Sequence, residues 1–251
     1  MAAAELLHDL DESQRRAVTS PARPLAILAP AGSGKTRVLT RRIAYQVAID
    51  EADASHVLAL TFTRKAAGEL RDRLRALGLR EAVAIGTFHS VAWAQLRARW
   101  SDEGRAAPTL LTRKGRLLGE LVGRGPLTVG QAAGEIEWSK ARLVGPDSSV
   151  EAVATARRRP PVPAERVAEV YARYEEEKQR RRFVDFDDLL RLCSQLLATD
   201  AAFAATQRWR FRHLFVDEFQ DVNPLQMELL EAWRGGRWDL CVVGDPHQAI
   251  Y

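Results

Sequence analysis

The 251 residues predict an α/β protein in which a parallel sheet is interrupted by a helical insertion. First, short apolar runs recur at 25–29, 57–62, 83–88, 214–216 and 240–243 with little polar alternation, as strands covered on both faces require. Second, helical spacing over 35–47 and 64–77 separates the first three runs, the alternation that builds parallel sheets with crossover helices. Third, from about 91 to 182 the apolar spacing is helical throughout and no strand run stands out. The expected division is therefore an α/β part over 1–90, a helical insertion over 91–182, and a return to the α/β part over 183–251.

Within the insertion, Val167, Val170, Tyr171 and Tyr174 fall at i, i+3, i+4 and i+7, so both tyrosines are expected in a helical core stripe. Breaks are expected at 123–126, at 145–149 and at 159–163, where Pro160, Pro161 and Pro163 forbid regular helix. With 46% hydrophobic and 28% charged residues the chain can bury a full core, which excludes disordered and fibrous classes. Cys193 and Cys241 are too few for a disulfide framework or a zinc site, so reduced, buried thiols in a cytoplasmic protein are expected. No run approaches the ~18 apolar residues of a membrane span, and no secretory signal opens the chain.

The net charge of +4 is unevenly distributed. Residues 64–116 carry 12 Lys+Arg against 5 Asp+Glu, and 157–182 carry 9 against 5, whereas 183–251 carry 6 against 11. Basic blocks of this kind are either solvated faces or polyanion-binding surfaces, and charge alone leaves both open.

The strongest local signal is Ala29-Pro30-Ala31-Gly32-Ser33-Gly34-Lys35-Thr36, placed after a strand run and before a helical one. That is the context of a phosphate-binding loop, in which the backbone N–H groups of residues 31–34 turn toward one point and the helix N-terminus adds positive partial charge. Lys35 would reach the β- and γ-phosphates of a nucleotide and the Thr36 hydroxyl would ligate Mg²⁺; Ala29 stands where the general pattern has Gly. A second strand, His213-Leu214-Phe215-Val216, ends in Asp217-Glu218. Asp217 is the candidate second Mg²⁺ partner, and Glu218 the group that would orient and deprotonate an attacking water. A third, Leu240-Cys241-Val242-Val243, runs into Gly244-Asp245-Pro246-His247-Gln248, where the Gln248 amide could sense a γ-phosphate at the same sheet edge.

Together these segments resemble the superfamily 1 DNA helicases of the UvrD/Rep type, with the motifs in the family's order. LDESQRRAV resembles the adenine-reading Q-motif, APAGSGKTR motif I, and LALTFTRKAA motif Ia. IGTFHSVA resembles the next DNA-contacting motif, VDEFQDVNPLQ motif II and VVGDPHQAIY motif III, while VDFDDLL resembles the segment that returns to the first motor domain. The resemblance implies a RecA-like P-loop domain, 1A, split by a helical domain, 1B, with ATP and Mg²⁺ as ligands.

It further implies that Gln14 reads the adenine edge, that Arg37 lies against base or ribose, and that Gln248 couples the γ-phosphate to the DNA surface. Phe62, which the residues alone would place in a core, becomes a stacking platform for single-stranded DNA. Thr61, Thr63, Arg64, Thr87, His89 and Ser90 would approach the DNA backbone, and Tyr251 would begin the next DNA-contacting element. Arg64 and His247 stand where many relatives carry Asn and Asp. The implied activity is 3′ to 5′ translocation on single strands and at single/double-strand junctions, completed by a second motor domain that would follow Tyr251. The alternative is a module that binds ATP and single-stranded DNA without unwinding.

Overall fold

The computed structural model describes residues 2–30, 32–79 and 83–248. In chain order the strands are β1 (Leu25–Leu28), β2 (Val57–Thr61), β3 (Ala84–Thr87), β4 (Thr109–Leu110), β5 (Phe183–Val184), β6 (His213–Val216) and β7 (Leu240–Gly244). The helices up to the middle of the chain are α1 (Ala3–Leu6), α2 (Glu12–Thr19), α3 (Lys35–Ala48), α4 (Arg64–Ala76), α5 (Phe88–Asp102) and α6 (Lys114–Val122). They are followed by α7 (Val129–Ala141), α8 (Ser149–Thr155), α9 (Ala164–Arg180), α10 (Phe186–Thr199), α11 (Ala201–Arg210) and α12 (Pro224–Arg234).

The described residues form two compact units, one from 1–91, 194–222 and 230–251, the other from 92–193 and 223–229. The first is the α/β unit, a sheet of five parallel strands in the order β1-β7-β6-β2-β3, the arrangement expected of a RecA-like domain. Every residue of β2 is buried, which is why its sequence shows no alternation. Leu39 and Ile43 of α3 and Leu70 and Leu74 of α4 pack with Val57, Ala59, Phe215 and Val243 of the strands. Each such aliphatic side chain stabilises the unit by about 1.5–3 kcal/mol on burial. Because all five strands run the same way, the residues after β1, β2, β6 and β7 emerge along one edge of the sheet.

The second unit is helical around Leu118, Ile136, Val170, Tyr171 and Tyr174, so the tyrosine stripe of α9 is core as its spacing implies. Two features depart from the sequence reading. The insertion contains a small parallel pair, with Thr109 opposite Phe183 and Leu110 opposite Val184. Each strand is too short to show a period. The chain also leaves this unit within α10 and not at residue 183. The first turn of α10 is held back by charge: Lys140 Nζ lies 2.7 Å from both Asp185 Oδ2 and Asp188 Oδ1, and Lys178 Nζ lies 2.5 Å from Asp188 Oδ2. Glu175 Oε1 sits 3.1 and 2.9 Å from the same two ammonium groups, and the Tyr174 hydroxyl donates to Asp185 Oδ2 at 3.0 Å. Burial opposes ionisation of Asp185, but the two ammonium groups outweigh it and hold its carboxyl well below the usual range. Cys193, later on α10, donates to Gln95 Oε1 at 3.1 Å. Both cysteines are free and buried, and burial pushes the Cys193 thiol up to about 12.

Candidate nucleotide site and its flank

The loop after β1 turns on two glycines with left-handed backbones, Gly32 at φ +75° and Gly34 at φ +84°. A side chain at either position would be strained, which is the physical reason for glycine there. Between them the Ser33 hydroxyl donates to Pro30 O at 2.7 Å, and Gly34 caps the N-terminus of α3. Lys35 and Thr36 therefore occupy the first turn of α3, where the free N–H groups and helix dipole favour an anion. Gly32, Ser33 and Gly34 are where the sequence reading places them, whereas Ala31 lies outside the described residues.

Lys35 is 92% buried, with Nζ 3.8 Å from Glu218 Oε2, and the Thr36 hydroxyl donates to Asp217 Oδ2 at 3.3 Å. The end of β6 thus meets the start of α3. Asp217 is buried, and its carboxyl is pushed above the ordinary value by desolvation and then by the neighbouring Glu218 charge. The Glu218 N–H, Thr36 and Lys35 offset this only in part. A hydroxyl and a buried carboxylate short of positive charge form a hard-oxygen donor set that fits a divalent cation. Glu218 itself has a left-handed backbone, φ +51° and ψ +45°, a conformation that costs a non-glycine residue about 1–3 kcal/mol and clusters at functional sites.

Lys35, Thr36 and Glu218 line a cleft of about 670 Å³ together with Gly32, Gly34, Arg37 and Gln248, and Asp217 reaches it through Thr36. Gln14 sits beside it: Asp11 and Gln14 form a reciprocal capping box at the start of α2, and Gln14 Nε2 donates to Ser33 O at 3.1 Å. The Arg37 guanidinium donates to Asp9 O. Arg41 and Arg42, on the same helix, bind the carbonyls of Leu6 at 2.8 Å and Ser20 at 2.8 Å, so α3 fastens the segment that carries Gln14. Arg41 and Arg73 also line the cleft. Sequence reasoning missed both as site residues; Arg73 entered only as a member of the basic block 64–116, because the face of α4 that meets the cleft is set by the fold.

On the flank, Phe62 is half-buried after β2, its ring 6.1 Å from that of Phe88, which stacks in turn on Trp233. Thr63 caps α4 by accepting from the Ala66 N–H, and Arg64 is exposed beside it. Ser90 is exposed and His89 half-buried, whereas Thr61 and Thr87 are buried. Thr87 and Ser90 cap each other at the start of α5, with the Thr87 N–H donating to Ser90 Oγ at 2.8 Å. The fold thus brings Phe62, Thr63, Arg64, His89 and Ser90 to one sheet edge and withdraws the side chains of Thr61 and Thr87 from its surface. Tyr251 lies outside the described residues. No helix among the described residues is long and apolar enough to cross a membrane.

Residues 10–251 match the family model described as the UvrD/REP helicase N-terminal domain. The chain is 46% identical to ATP-dependent DNA helicase UvrD2 of Mycobacterium tuberculosis (strain ATCC 25618 / H37Rv), over 98% of the chain and 37% of that protein. It is 36% identical to UvrD1 of Mycobacterium leprae (strain TN), over 98% of the chain and 34% of the relative. It is 35% identical to ATP-dependent DNA helicase PcrA of Leuconostoc citreum, over 100% and 34%. The chain therefore spans little more than a third of the length of the curated relatives it matches.

Proposed function

The chain belongs to the UvrD/Rep helicase family, and from that premise we propose that it is the N-terminal motor part of an ATP-dependent 3′ to 5′ DNA helicase or translocase. In this reading the α/β unit is domain 1A, the helical unit is domain 1B, and a second motor domain supplies the remainder of the ATP site. The observation that carries it is the convergence of Lys35, Thr36, Glu218 and Gln248, from three separate strand ends, on one cleft, with Asp217 bonded to Thr36.

ATP binds with its phosphates on the N–H groups of the 31–34 loop and on Lys35, with Gln14 and Arg37 at the base and ribose. Thr36 and Asp217 would hold Mg²⁺, which when bound would neutralise phosphate charge. Glu218 orients a water whose oxygen forms the new bond to the γ-phosphorus, and the carboxylate takes the water's proton. The bond between the γ-phosphorus and the bridging oxygen breaks, with its electron pair leaving on ADP. Gln248 reads the γ-phosphate, and loss of that contact is passed to the edge that carries Phe62, where bases of single-stranded DNA stack at about 1–3 kcal/mol each. Thr63, Arg64, His89 and Ser90 hold the strand's phosphates, with Thr61 and Thr87 beneath them at the ends of β2 and β3 and Thr87 capping with Ser90. Junctions between single- and double-stranded DNA are the substrate, and the cytoplasm is the compartment.

In the full-length protein, Glu218→Gln is expected to lower DNA-stimulated ATP hydrolysis by about 10²–10⁴-fold with ATP and DNA binding retained. Turnover like that of the unsubstituted protein would remove Glu218 from the mechanism.

A further inference from the structure

Glu218 is held by a neighbour to which the sequence reading gives no role. Gln220 Nε2 donates to Glu218 Oε2 at 2.8 Å, and Gln220 Oε1 accepts the Asp245 N–H at 2.9 Å. The orientation of the amide is fixed by its partners, because a carboxylate needs a donor and an N–H needs an acceptor. One side chain thus bridges the end of β6 to the end of β7, three residues before Gln248. A third observation shows that room is kept for it. A Cβ at Gly244 would lie 2.7 Å from Gln220 Oε1 and 3.3 Å from the Gln220 backbone N, although Gly244 has an ordinary backbone that any residue could adopt.

We propose that Gln220 is the positioning residue of this site, fixing the Glu218 carboxylate in its left-handed turn and tying it to the end of β7. The inference rests on the hydrolytic reading above. Glu218 follows a strand end and carries a long side chain with several rotamers, so a carboxylate that must meet one water needs a second anchor. The charge-assisted bond from Gln220 supplies it. With Oε2 engaged by Gln220 and approached by Lys35 Nζ at 3.8 Å, the proton of the attacking water goes to Oε1. Since the other end of the amide grips the Asp245 N–H, a shift of the segment bearing Gln248 also shifts the base.

The test is steady-state ATP hydrolysis by the full-length protein with saturating single-stranded DNA, alongside equilibrium binding of a fluorescent ATP analogue. Gln220→Ala is expected to lower kcat at least tenfold while KM and nucleotide affinity stay within twofold. Gln220→Glu, which keeps the acceptor for Asp245 but cannot donate to Glu218, should fall as far. Because Gln220 acts through Glu218, adding Gln220→Ala to Glu218→Gln should slow the residual reaction by less than twofold. Gly244→Ala, which displaces the amide without replacing Gln220, should give the same loss of kcat and serves if Gln220→Ala does not fold. An unchanged kcat in Gln220→Ala, a rise in KM alone, or fully multiplicative losses in the double variant would overturn the proposal. Absence of DNA-stimulated hydrolysis in the unsubstituted protein would overturn the functional reading, and this proposal with it.

Discussion

Each unit of the molecule sets acids beside lysine, and the two clusters differ in how closely the ammonium groups hold the acids. In the helical unit Asp185, Asp188 and Glu175 each lie within 3.1 Å of an ammonium group of Lys140 or Lys178. Asp185 is held well below the usual carboxylate range. In the α/β unit Lys35 approaches Glu218 only to 3.8 Å, Asp217 has a hydroxyl for its close partner, and burial leaves its carboxyl raised. The acids of the helical unit present ligand atoms within 4.8 Å of one another, as a metal site would, but two ammonium groups already satisfy them. A cluster in which every acid already contacts an ammonium group of its own chain is structural. An acidic pair without such contacts, at a sheet edge beside a glycine loop and a helix N-terminus, is the candidate ligand site.

The largest effect that would sharpen this contrast is expected in the helical unit. Lys178→Met should leave three carboxylates sharing the single ammonium group of Lys140 and lower local stability by about 3–5 kcal/mol. Native-state hydrogen exchange of α9 and α10 amides reads this directly. Protection equal to that of the unsubstituted protein would mean that the cluster contributes no more than a surface pair does.

A smaller effect sets the two clusters against each other through one substitution. Asp185→Asn should cost about 1.5–3 kcal/mol of protection in α9 and α10, as loss of hydrogen bonds to a charged group does. Asp217→Asn in nucleotide-free protein should leave β6 as well protected or better, because it removes a charge the fold holds at a disadvantage. The pH dependence follows from the direction of the Asp185 shift. A depressed carboxylate contributes stability that is present above its unfolded value, near 4, and lost as pH falls through that value toward the folded one. The penalty for Asp185→Asn should therefore be constant from pH 8 to 6 and shrink below pH 4. Equal penalties at Asp185 and Asp217 would erase the distinction.

What the sequence discloses of all this depends on how locally each feature is encoded. Gly32, Ser33, Gly34, Lys35 and Thr36 are contiguous, their chemistry resides in glycine backbone and helix dipole, and they sit at one turn. Asp217 and Glu218 are legible because an apolar strand ends on them. Arg73 is invisible as a site residue because only the packing of α4 decides which arginine of a basic helix faces the cleft. Gln220 depends on a bond to Asp245, 25 residues away, and Lys140 on partners 45 and 48 residues away. The β4–β5 pair joins two-residue strands far apart in the chain, below the length at which any hydrophobic period forms. Thr61 and Thr87 show the reverse relation, since motif position marks them as surface contacts whereas the side chains are buried at the ends of β2 and β3.

The central claim, that the α/β cluster is completed by a ligand and the helical one by the chain itself, is tested most directly by hydrogen exchange on the full-length protein with and without Mg²⁺ and a non-hydrolysable ATP analogue. At about 100 times Kd the ligand should add about 2.7 kcal/mol of protection to globally exchanging amides of α3 and β6. That gain should require Mg²⁺ and vanish in Lys35→Met, while the amides of α9 and α10 beside the Lys140–Asp185 pair gain little. Protection of the helical cluster with none at α3 and β6, or no protection of either, would contradict it.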